Sequence, residues 1–210
     1  MSMITRMSQL SLLAAAGFAL SGCAIKNAGI LAADLASLTA THSGLEATAS
    51  RDLPGGTARY EGVALVGVQG DALTGAAMMG DAEMTVDFAN ETASGTITDF
   101  VGLPVDNAIE TVGTILINPT GLLAQLKRAD GEVTFSDPSI SGGDIDATLS
   151  GDVTLDSVVY GFGGSIAGEV LGESGEAVRL KGDEDSLDMT VDGVAAQGAT
   201  FDMLFGEVTP

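Results

Sequence analysis

The chain has 210 residues, 45% hydrophobic and 18% charged, which is enough apolar material for one domain with a core and too much for a disordered chain. Its 29 glycines follow no collagen period and are about twice ordinary usage, while aromatics are only 4%; this favours a turn-rich all-β chain. Eight Lys+Arg against 29 Asp+Glu give a net charge of −21, which excludes nucleic acid as a partner, because a phosphate-binding face needs clustered cations.

Residues 1–22 carry Arg6, no acidic residue, and an apolar run from Leu10 to Leu20. A run of about 11 residues is too short to cross a bilayer as a helix and suits the core of a signal peptide. It ends in Leu20-Ser21-Gly22-Cys23, and Cys23 is the one cysteine of the sequence. These four residues resemble the lipobox of bacterial lipoproteins: Leu, a small residue, Gly, then Cys. The resemblance implies cleavage between Gly22 and Cys23 and acylation of the Cys23 thiol. It makes the lipid bilayer a partner, held by buried acyl chains at roughly 0.8 kcal/mol per CH₂. The mature chain then loses Arg6 and holds 7 Lys+Arg against 29 Asp+Glu, a net −22. No free thiol remains for a disulfide, catalysis or a metal. Ala24 rather than Asp follows the cysteine, which points to the outer membrane; its cell-surface and periplasmic sides both stay open.

Residues 23–56 read as the lipidated cysteine followed by a flexible tether. Ile30, Leu31, Leu35 and Leu38 are spaced as one face of a helix of one or two turns, and Pro54-Gly55-Gly56 closes the segment. From Thr57 the texture changes to short β-like runs broken by Gly and Asp. Ala58–Val68 reads as a first long strand, Leu73–Met79 as a return, and Glu83–Phe88 alternates with period two. Thr96–Val101 follows. Thr114–Ile117 reads as a strand, and 120–128 as a short helix or a loop. Glu132–Phe135, Ile145–Leu149, Val153–Tyr160, Ser165–Val170, Ala177–Lys181, Leu187–Val191 and Ala199–Phe205 complete the series.

This spacing, with hairpin-type turns, predicts an antiparallel barrel or sandwich over residues 57–210. A membrane-spanning barrel is disfavoured, since eight aromatics in the mature chain cannot form two girdles. The expected fold class is all-β: a small soluble antiparallel barrel behind a signal peptide and tether.

Two hairpins carry a further resemblance. Met84-Thr-Val-Asp-Phe-Ala-Asn-Glu-Thr-Ala-Ser-Gly-Thr-Ile97 resembles the "DFAN-x-T-x-x-G-x-I" hairpin of transferrin-binding-protein-B-like lipoproteins. Val159-Tyr-Gly-Phe-Gly-Gly-Ser-Ile-Ala-Gly-Glu-Val-Leu-Gly172 resembles their "G-x-F-x-G-x-x-A-x-E-x-x-G" hairpin, and Tyr60-Glu61-Gly62 their first-strand "Y-x-G". The resemblance covers residues 57 to about 206. It implies an eight-stranded barrel like that family's C-lobe barrel and factor-H-binding protein, and capture of a protein or small ligand at the envelope. The chain departs from the family in having one barrel, in reading Phe162-Gly163-Gly164-Ser165 where a Phe-Tyr-Gly-Pro turn is expected, and in lacking basic and aromatic loop clusters. No transferrin-contact residue carries over.

The same residues offer few candidates for a catalytic or metal constellation. The one histidine, His42, falls in the tether and is expected to be solvated. Gly142-Gly143-Asp144-Ile145-Asp146 and Gly182-Asp183-Glu184-Asp185 lack the spacing of calcium loops and read as acidic turns. Met78, Met79, Met84, Met189 and Met203 read as core filling rather than soft-metal ligands. The expectation is therefore no enzyme, no catalytic residue, no metal and no cofactor. The expected role is binding at the outer membrane, with a structural or accessory envelope lipoprotein as the alternative.

Overall fold

The computed structural model describes residues 27–70, 74–117 and 119–208. Helix α1 spans 27–42. Strands β1 (Thr57–Gln69), β2 (Ala76–Asp87) and β3 (Thr92–Pro104) form a meander. Helix α2 (Ala108–Ile117), a 3-10 segment (Pro119–Gln125) and β4 (Lys127–Arg128) lead into the hairpin β5 (Asp130–Ser141) and β6 (Asp144–Leu155). Then come β7 (Val158–Phe162), β8 (Ser165–Leu171), β9 (Ala177–Gly182), β10 (Thr190–Val191), β11 (Val194–Ala195) and β12 (Gly198–Glu207).

The sheet closes into an antiparallel barrel, and β7 and β8 are the reason it counts as eight-stranded. Gly151 lies opposite Phe162 and Thr148 opposite Ser165, so β7 and β8 keep one register against β6 and act as a single strand. Gly163-Gly164 marks where its outer neighbour changes. The β7 half pairs β10, while the β8 half pairs β9, which reaches β12 and then β1. Gly164 has φ +92, a left-handed conformation that glycine adopts without a Cβ penalty.

Alternate residues fill the lumen. Tyr60, Val66, Met78, Met84, Ile97, Phe100, Phe135, Tyr160, Phe201, Met203 and Phe205 are all 2% exposed or less and belong to one cluster. Phe100 packs on Phe162 at 6.1 Å between ring centroids, and Phe162 meets Phe201 edge-on at 6.4 Å. Gly95 makes room for this packing: a Cβ there would sit 1.8 Å from the Phe135 ring.

A second core lies outside the barrel wall. Val63 and Leu65 of β1, Ala77 and Met79 of β2, Val101 of β3 and Leu204 of β12 point outward yet are buried. Ala28, Leu31 and Leu35 of α1 and Val112 and Ile115 of α2 cover them. Both helices thus lie on the outer face of β12-β1-β2-β3.

Several expectations need correction. The segment expected as a flexible tether with one or two helical turns is a helix of 16 described residues, docked on the barrel. Ile30, expected on its buried face, is 51% exposed, while Ala28 and Ala32 are buried instead. Residues 46–48 then pair along the end of β8, through Thr48 N–H to Val170 O at 2.9 Å and Gly172 N–H to Glu46 O at 2.8 Å. Thr114–Ile117, expected as a strand, forms the end of α2. Ala108, Val112 and Ile115 recur at helical spacing and are buried, and the need to cover β1 overrides the β-propensity of Thr and Ile. Residues 153–160 form a hairpin rather than one strand, because Asp156 and Ser157 turn at φ 52 and 72.

Leu35→Ala should lower stability by about 2–5 kcal/mol, the usual cost of truncating a fully buried leucine. Chemical denaturation would measure the loss, and protease cleavage within 27–56 should become faster.

Candidate functional site

Each of the two tyrosines of the sequence holds a loop at one end of the lumen. Tyr60 donates its hydroxyl to Gly175 O at 2.8 Å, in the β8–β9 loop. Tyr160 donates to Thr74 O at 3.1 Å, in the β1–β2 connection at the opposite end. Burial is the main cause that raises both phenols; Glu207 and Glu176 add to it for Tyr60, and Asp192 and Asp156 for Tyr160, which is pushed up to about 12. With its interior filled by buried aromatic, methionine and aliphatic side chains, the lumen is core rather than a ligand chamber.

The outer wall divides into two unlike faces. One is the helix-covered face. The other, across β5, β6 and β8, carries no covering helix among the described residues. Along β6 exposed and buried residues alternate: Asp144, Asp146, Thr148, Ser150, Asp152 and Thr154 face solvent, while Ile145, Ala147, Leu149, Val153 and Leu155 face the lumen. The register sets Asp152 opposite Glu132, Ser150 opposite Thr134 and Thr148 opposite Ser165. This is a flat polar surface with surplus negative charge.

At its border, where β9 ends, lies an open cleft of about 630 Å³ lined by Asp146, Ser165, Lys181, Asp183, Thr200 and Asp202 among others. Beside it Arg179 reaches Asp202 through two contacts, at 2.9 and 3.3 Å. A second acidic group lies where α1 meets the barrel. Asp81 is exposed, but partial burial and the neighbouring Glu83, Asp99, Glu61 and Asp34 hold its carboxyl above the ordinary carboxylate range.

Cys23, Leu20, Ser21 and Gly22 lie outside the described residues. His42 is not free in solvent as expected; it is half-buried in the last turn of α1. Its Nδ1 lies 2.7 Å from Leu38 O and its Nε2 3.2 Å from Val178 O, tying the helix to β9. Met78, Met84, Met189 and Met203 point into the lumen cluster, whereas Met79 packs under the helices. Gly142-Gly143 is the β5–β6 turn, at φ 64 and 104. In the other acidic turn the Asp183 carboxylate accepts from the Asp185 and Ser186 amides at 3.2 Å. Among the described residues no group of three or more His, Cys, Asp or Glu is placed to hold a metal.

The Asp87-Phe88-Ala89-Asn90 stretch is also turn chemistry. The Asp87 carboxylate accepts from the Ala89 and Asn90 amides and from Asn90 Nδ2, at 2.8–3.1 Å. These bonds, led by that of the Asn90 side chain, hold the carboxyl below its usual range. Comparison of the chain with protein-family models and with curated proteins finds no match to either.

Sequence reasoning overlooked the tyrosine contacts and the face without a helix. The second left a readable trace, the strict period-two polarity of Asp144–Leu155. The first left none, since two tyrosines in apolar runs do not show which loops they reach.

Two measurements follow from these groups. Spectrophotometric titration should show neither tyrosine ionising near the ordinary value of 10.0 in the folded protein. Both phenols bind their proton more tightly folded than unfolded, so stability is undiminished below that pH. It falls as pH rises toward about 12, and phenolate absorbance should appear together with unfolding. Asp81→Asn should raise the melting temperature at neutral pH and leave it nearly unchanged in acid, because the raised carboxyl costs stability only where it is ionised.

Proposed function

We propose that this protein is an outer-membrane lipoprotein, acylated at Cys23, whose transferrin-binding-protein-B-like barrel captures a protein partner at the cell envelope. The lipobox Leu20-Ser21-Gly22-Cys23 supports the anchor. Met84–Ile97, which forms the β2–β3 hairpin, and the closed eight-stranded barrel support the family reading, although a barrel alone carries no function; Val159–Gly172, expected as a second hairpin, runs instead as one strand along β6.

The observation that carries the choice of ligand is the division of the wall. The lumen is filled by Tyr60, Phe100, Tyr160 and Phe201, which favours a macromolecular partner over a small molecule. One outer face is occupied by α1 and α2, and the β5-β6-β8 face is free to meet another protein. Its acidic surplus, Glu132, Asp144, Asp146 and Asp152, suits a basic partner surface and would speed encounter with one. Binding, not catalysis, is the activity proposed. In the alternative reading, an accessory role supporting another envelope protein, the same face would meet a periplasmic neighbour.

Protease shaving of intact host cells, with a lysed control, separates the two. Loss of residues 57–210 on intact cells supports capture from outside; protection until lysis turns the reading to envelope support. Cys23→Ser should move the protein from the membrane fraction to the soluble fraction, and intact mass should lose the acyl chains. A Cys23→Ser variant that stays membrane-bound would overturn the anchor.

A further inference from the structure

From the place where the chain leaves the barrel, we infer that the helix-covered face rests on the leaflet that holds the anchor, so that the barrel lies on the membrane instead of standing off it on a tether. This rests on the lipoprotein reading above and adds an orientation to it.

The first argument is reach. Ala28 is fully buried against the barrel, so the structure is already docked five residues after Cys23. Three residues lie between Cys23 and Asn27, and four Cα–Cα steps of at most about 3.6 Å keep the Cys23 Cα within about 14 Å of the start of α1. The thirty or so residues expected as a tether are therefore not available as one.

The second argument is where that point lies. The first turn of α1 sits over β2 and β3, where Asn27 and Ile30 share a cleft with Asp81 and Asp99. α2 begins beside Gly67 of β1 and Gly198 of β12, and its buried Ile115 joins the cluster that contains Val101 of β3. The helices thus cover the wall from which the anchor emerges.

The third argument is the surface itself. In a chain with 29 acidic residues, 27–45 carries one, Asp34, and 107–126 carries one, Glu110. Ile30 is 51% exposed, Ile109 41% and Ile117 87%. Exposed isoleucines on two helices that carry few charges suit the interfacial zone of a bilayer. Asp34, Asp81 and Asp99 beside Ile30 keep the contact at headgroup depth, since carboxylates resist entry into hydrocarbon. On this placement the acidic β5-β6-β8 face points away from the lipid, free for a partner.

Cys23 is the only cysteine, so an added thiol can be labelled alone once Cys23 is acylated. Full-length Ile117→Cys and Ser150→Cys proteins, carrying a fluorophore, would be reconstituted into phosphatidylethanolamine–phosphatidylglycerol vesicles containing nitroxide-headgroup lipid. Both positions are exposed, and circular dichroism checks the fold. The label at 117 should be quenched several-fold more than the label at 150. Equal quenching overturns the orientation and leaves the lipoprotein reading intact. A label at 117 shielded from water but untouched by nitroxide also overturns it, in favour of a second copy covering the helices. Intact mass on the same samples tests the reading beneath it: a chain without acyl groups ends both.

Discussion

From Val63 to Val68 strand β1 must be kept from water on both faces. Ala64, Val66 and Val68 fill the lumen, while Val63 and Leu65 point outward and are just as completely buried. A barrel alone satisfies only the first set. The second set needs an outer layer, and the chain provides it by laying α1 before the barrel and α2 within it across the same strands. Each buried aliphatic side chain contributes roughly 1.5–3 kcal/mol, so the helices are an integral part of the fold.

That requirement gives the wall its two characters. Under the helices Val63, Leu65, Ala77, Met79, Val101 and Leu204 point outward, and the helices themselves carry little charge. On β6 the outward residues are Asp, Thr and Ser, and no helix covers them among the described residues. A closed barrel removes sheet edges, yet it leaves its outer surface to be used. Here one side is committed to packing and the other is open. The lumen, packed with aromatic and methionine side chains, takes part in neither role.

The β fold was legible because it rests on local signals. The Asn90 and Gly142-Gly143 turns and the alternation over Glu83–Phe88 and Ile145–Leu149 appear where residue order places them. The helices were not legible for a common reason. Gly29, Thr39 and Thr41 in 27–42, and Ile and Thr in 114–117, carry weak or opposing helix preference; the apolar sheet face against them favours the helix. The continuous apolar run Val63–Val68 was the available warning, since a strand buried on both faces loses its alternation.

The sequence by itself determined that the chain is a turn-rich antiparallel β protein with strong negative charge, because glycine turns and period-two polarity act between near neighbours. It also holds Leu20-Ser21-Gly22-Cys23, whose resemblance to a lipobox is read from four adjacent residues. The tertiary structure alone decided that the presumed tether is a docked helix, that the lumen is filled, and which wall carries no helix among the described residues. These outcomes depend on residues far apart in sequence, such as Leu35 against Leu65 and Tyr160 against Thr74. No local pattern encodes such a meeting, because its energy exists only once the strands have closed.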